Sequence, residues 1–168
     1  MDNELLQILL GQDDLGVVIR AHIRMEENIE NFLALSADFD LIDKMGLTFA
    51  QKLLLAHALD LDSPLVPPLK VLGRIRNKFA HRTNSVLNSS DVNNLYKSFD
   101  SGGKKFLQMV IEENHDKPEQ LASKFSDLDI MEKFVLMIIV LENRFAVLID
   151  EKANYLQEKI DQLEQPDA

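Results

Sequence analysis

Apolar residues in this chain recur at gaps of three and four and nowhere sustain the strict alternation of a half-buried strand, so the sequence commits to helices. The clearest stripe runs through Leu15, Val18, Ile19, His22, Ile29, Phe32 and Leu33, with a gap between His22 and Ile29. Arg20, Arg24, Glu27 and Asn31 fall on the other face, which predicts an amphipathic helix over Asp13 to Ser36. Asp38 to Met45 reads as a short helix closed by Gly46, a residue suited to a left-handed cap. Thr48 and Gln51 have the spacing of a capping box and open a helix through Leu59. A proline inside a helix costs ~3 kcal/mol, so Pro67 and Pro68 belong to a first turn, and the next helix is expected over Pro68 to His81. Thr83 to Ser90 is a polar loop, and Asp91 to Phe99 is helical. Ser101-Gly102-Gly103 is the clearest break, before a helix over Lys104 to Glu113. Ser126 is expected to cap a last helix to Leu163. The expected fold is an all-α bundle of six or seven helices in one domain.

That last helix is long for its domain. About 37 residues at ~1.5 Å each span ~55 Å, against a radius of gyration near ~15 Å for a domain of this size. Either the helix breaks or its end projects, from about residue 141 onward. Ile149, Ala153, Leu156, Ile160 and Leu163 carry the apolar spacing into that end. The stripe suits a partner helix, such as one from a second copy in a homodimer. A frayed tail after residue 155 is the plain alternative.

Other functions are narrowed by what the chain contains. It has no Cys, which removes a disulfide scaffold, a thiol nucleophile and a zinc–thiolate site. No phosphate-binding glycine loop, nucleophile elbow or metal-ligand pair at helical spacing occurs, so no cofactor or metal is expected. The first ten residues lack the basic-then-apolar pattern of a signal peptide, and the longest apolar run, Phe134 to Leu141, is far short of a membrane span. The expectation is a cytoplasmic protein with no membrane contact.

A net charge of −10 opposes direct, sequence-specific DNA binding. Charge is unevenly spread, however. Residues 63 to 90 hold no Asp or Glu, where the chain's average would place about five, and they hold Lys70, Arg74, Arg76, Lys78 and Arg82. Such a patch can bind phosphate, or dock an acidic face of a partner or of the same fold. On a helical wheel Val71, Leu72, Ile75 and Phe79 form the core arc, while Lys70, Arg74 and Lys78 form a stripe facing water. Arg76 falls on the edge of the apolar arc. A guanidinium there keeps its charge, so it needs a carboxylate, carbonyls or an interface. His81 lies at the helix end, where the dipole favours its charged form. Two readings follow. In one, Arg76 pairs with an acid on a neighbouring helix and His81 is a cap. In the other, His81 takes a proton from a ribose 2′-hydroxyl, Arg76 stabilises charge on the phosphate, and Asn77 orients either one. His22 and His57 sit on apolar faces and are expected to be core histidines.

The string Ile75-Arg76-Asn77-Lys78-Phe79-Ala80-His81 resembles the signature of HEPN domains, helical bundles with an Arg, usually a polar residue next, and a His after four to six intervening positions, four here. In HEPN ribonucleases two copies of the motif meet across a dimer and cleave RNA without metal. Arg82 stands where many of those nucleases carry an aromatic residue. A narrower resemblance covers about residues 13 to 100. Thr48-Phe49-Ala50-Gln51-Lys52-Leu53, then Ala56-His57-Ala58-Leu59, then Arg74 to His81 follow the order and spacing of the mannitol operon repressor-like family. That resemblance implies a regulator of gene expression that does not itself bind DNA and so acts through a protein partner; the acid-free stretch supplies Lys70, Arg74, Lys78 and Arg82 as the candidate partner- or phosphate-binding residues. The HEPN motif implies the alternative: a metal-independent endoribonuclease using Arg76, Asn77 and His81, with RNA as its partner.

Overall fold

In the computed structural model α1 spans Asp14–Ala34, and it starts there because Asp13 accepts a hydrogen bond from the Gly16 amide. The structure describes residues 13–81, 85–114 and 124–164. Seven α-helices account for most of them, with no strand among the described residues. The all-α expectation therefore holds. Val17, Ala21, Met25 and Asn28 join the buried face of α1 and close the gap left between His22 and Ile29. The buried face is wide because α1 is central, packing against α3, α4 and α7.

α2 (Phe39–Lys44) ends before Gly46, which takes the expected left-handed conformation at φ +59°. α3 (Phe49–Ala58) opens on the full capping box, with the Gln51 side chain accepting from the Thr48 amide at 2.9 Å. It closes on Asp60 at φ +71°, and the Leu61 amide donates to the Ala56 carbonyl in a Schellman-type stop. His57 is exposed rather than in the core. Its Nδ1 lies 3.3 Å from the Leu61 carbonyl and serves the same turn.

A single 3₁₀ turn, Ser63–Leu65, leads into α4 (Val66–Ala80). The helix begins two residues before Pro68, with both prolines in the first turn, where no amide donor is needed. α5 (Ser89–Ser98) is capped by Asn88 and Asp91. The break expected at Ser101-Gly102-Gly103 falls earlier. Phe99 is extended, Asp100 accepts from the Gly103 amide at 2.8 Å, and both glycines lie in the first turn of α6 (Ser101–Asn114). Phe99 packs so close to Gly103 that a β-carbon there would lie 2.8 Å from its ring. The last helix, α7 (Ile130–Glu164), is capped by Asp129 with Glu132 rather than by Ser126, which belongs to a 3₁₀ turn over Phe125–Asp127.

One hydrophobic core joins all the helices. Its densest part is Phe134 to Leu141 of α7, every residue of which is buried. Glu142 and Phe145 are buried too; no described residue after Phe145 is buried, though Leu148 and Ile149 still pack against the core. No helix among the described residues is long and apolar enough to cross a membrane.

Candidate functional site

The acid-free stretch falls on α4, and its consequences depend on what α4 faces. Leu69, Leu72, Ile75 and Phe79 point into the core. The other side of the helix borders a cleft of about 740 Å³ between α1, α3 and α4. Phe49, Ala50, Leu53 and Leu54 of α3 line its apolar side, with His22 and Glu26 of α1 beyond and Lys70, Arg74, Arg76 and Asn77 on the α4 side. Gly73 is the low point of that side: a β-carbon there would meet the Phe49 ring at 3.3 Å.

Three α4 cations therefore share one opening. Lys70 and Arg74 are exposed and make no hydrogen bond or ion pair among the described residues. Arg76 is half-buried. Its Nη1 reaches the Asn77 side-chain oxygen at 3.3 Å, and no carboxylate pairs with it among the described residues. The acid partner expected as one outcome for Arg76 is thus absent there. The one carboxylate on the cleft, Glu26, is occupied from the side: Lys52 of α3 donates to Glu26 at 2.8 Å and also to Glu30. Burial works against the Lys52 charge, but the two carboxylates outweigh it and hold its pKa above the ordinary lysine value.

His22 is buried, as expected, yet it forms part of the cleft wall. Its ring packs on Phe49 with centroids 4.3 Å apart, and its Nδ1 lies 3.9 Å from a Glu26 oxygen. Burial lowers its pKa, Glu26 pulls the other way, and the nearby Arg76 charge lowers it further; the net result is below the ordinary histidine value. At neutral pH the imidazole is uncharged and leaves the cleft's positive charge to α4.

The remaining sequence candidates separate. Lys78 was expected in the water-facing stripe with Lys70 and Arg74. It turns instead to α5, where its ammonium donates to the Asp91 carboxylate and to the Val86 carbonyl at 3.0 Å. It is a structural tie between helices. His81 caps α4 through its backbone amide, which donates to the Asn77 carbonyl. Its side chain is exposed, does not line the cleft and has no polar partner among the described residues. Arg82 lies outside the described residues. Arg76 and Asn77 thus belong to the cleft and His81 does not.

Sequence reasoning missed the α1 and α3 contributions. The wheel placed Arg76 beside the apolar arc, so it had to face a neighbouring helix, but no local signal identified that neighbour as the His22–Glu26 turn of α1. Among the described residues no three His, Asp or Glu side chains gather as metal ligands. What the arrangement can do chemically is hold an anionic group over an apolar surface. Compared with family models, curated proteins and solved structures, the chain matches none.

Proposed function

We propose that the protein is a regulatory module that acts by protein contacts, with the α1–α3–α4 cleft as its working surface. One observation carries this reading: Lys70, Arg74 and Arg76 border an apolar surface, and none has a carboxylate partner among the described residues. Cations without counter-charges attract an anion, and Phe49, Leu53 and Leu54 offer apolar area beside it. A partner segment with Asp or Glu on one face and Leu, Ile or Phe on the next satisfies both demands. The resemblance to the mannitol operon repressor-like family makes gene expression the process regulated. The net charge of −10 favours a protein intermediary over direct DNA contact. The position of His81 also supports binding over catalysis, since a general base must reach the proton it removes.

The test is fluorescence anisotropy with an acidic amphipathic helical peptide, comparing wild type with the Lys70→Glu, Arg74→Glu double variant. Both side chains are exposed, so the variant keeps the fold. Affinity is expected to fall roughly tenfold or more, and wild-type binding is expected to weaken as salt is added. Equal binding by the two proteins would remove the cleft from the account.

A second reading, metal-independent RNA cleavage, rests on a separate observation: Arg76 is charged and lacks an acid partner while His81 is exposed and unengaged. A second protomer that set its His81 against this Arg76 would complete the pair. His81 would then take the 2′-hydroxyl proton, Arg76 would stabilise the negative charge on the phosphate, and Asn77 would orient one of them. RNA cleavage in EDTA by wild type, lost in a folded His81→Ala variant, would establish that reading and displace the regulatory one. No cleavage by either protein would leave the binding role standing.

A further inference from the structure

Along α7 the core stripe outlasts the core. Lys152 fixes the helix to the ends of α1 and α3, donating to the Leu59 carbonyl at 3.0 Å with its ammonium 4.3 Å from the centre of the Phe32 ring. Beyond that point the helix continues to Glu164 with no buried residue. Ile160 is 48% exposed and Leu163 is 80% exposed. The apolar positions keep strict heptad order, with Ala146, Ala153 and Ile160 at a and Ile149, Leu156 and Leu163 at d. A β-branched residue at a with Leu at d favours two strands.

We propose that a second copy of this chain covers the stripe, the two α7 ends pairing in parallel and in register as a short two-stranded coil. The flanking charges select both the partner and its direction. The g positions hold Lys152 and Lys159, and the e positions hold Asp150, Gln157 and Glu164. A parallel pair sets g of one helix against the following e of the other, so Lys159 meets Glu164 with no like charges opposed, while Lys152 stays engaged with its own body. An antiparallel pair centred on the same stripe sets g against g and e against e. Lys152 would then oppose Lys159, and Asp150 would oppose Glu164. Ile149 still packs against the core and Leu156 borders the ends of α1 and α3, so one a and one d position, Ile160 and Leu163, stand clear of the body. That is far fewer than the three or so heptads that sustain an independent coil, so the pair forms with rising concentration rather than permanently. This inference does not depend on the cleft.

The experiment is sedimentation of the full chain over a wide concentration range. Wild type is expected to pass from monomer to dimer. Ile160→Glu with Leu163→Glu, both at exposed positions, is expected to raise the dimer dissociation constant roughly tenfold or more. Lys159→Glu is expected to weaken the dimer, and adding Glu164→Lys is expected to restore it. Because the chain has no cysteine, Ile160→Cys provides one thiol per protomer, and oxidation is expected to join two chains only if the a positions meet in parallel. A monomer at every concentration, or a dimer indifferent to the double Glu variant, overturns the proposal. A dimer that the charge swap fails to restore and that Ile160→Cys fails to cross-link overturns the parallel arrangement.

Discussion

Glu142 follows directly on the most apolar run of the chain and is 8% exposed. It survives there because α1 meets it with donors: Arg24 at 2.6 and 2.9 Å and Asn28 at 2.5 Å. Those bonds raise the Arg24 pKa, the Glu142 hydrogen bond being the main cause. Glu142→Ala would leave Arg24 without this partner and the buried Asn28 amide unsatisfied. Arg24 is partly in water, which discounts its share, so the expected loss is about 2 kcal/mol by urea denaturation, with Glu142→Gln milder. His22 makes a second residue-scale prediction. Its folded pKa lies below the ordinary 6.5, so between those values the unfolded chain binds more protons. Stability should therefore rise with pH through that window and be lost below it. Melting curves from about pH 5 to about pH 7.5 should show a shallower slope for His22→Gln than for wild type. Neither role was legible in the sequence. Arg24 looked solvent-facing and His22 looked like simple core, because a wheel shows which face a residue is on but not what lies across from it.

Helix ends were far more legible, since caps are local chemistry. The Thr48–Gln51 box and the left-handed Gly46 stand where the sequence placed them. Two ends were misplaced, each for a physical reason. Ser126 and Asp129 are both cap residues with an acid three positions later, so the local signal was degenerate. Leu128 decides between them: it is buried and extended, and must reach the core before the helix can start. Gly102 and Gly103 looked like a break, but Asp100 caps ahead of them and the second glycine is there for space. At Gly103 a β-carbon would lie 2.8 Å from the Phe99 ring and 3.2 Å from Arg144, whereas at Gly102 it meets only Asp100 at 3.4 Å. Gly103→Ala should thus destabilise by about 1–3 kcal/mol, while Gly102→Ala should be neutral or stabilise by about 0.5 kcal/mol. Thermal denaturation of the two variants side by side checks the contrast.

At the scale of the molecule, the helical class and helix number followed from periodicity, but the cleft did not. It exists because α1, α3 and α4 pack together, and three helices from separate parts of the chain meet there by tertiary choice. The length of α7 suggested an exposed end, and no described residue after Phe145 is buried, though Lys152 still donates to the Leu59 carbonyl. Ending the chain after Leu156 removes no buried side chain among the described residues. At concentrations where the protein is a monomer, that truncation should leave the melting temperature within about 2 °C of wild type.

α7 holds neither glycine nor proline from Ile130 to Glu164, so it has no built-in hinge. The same helix carries Glu142, which accepts from Arg24 and Asn28 on α1. The next turn back along α1 carries His22, in the wall of the cleft. Tip and cleft wall are thus joined by one unbroken helix, one buried carboxylate and one turn of α1.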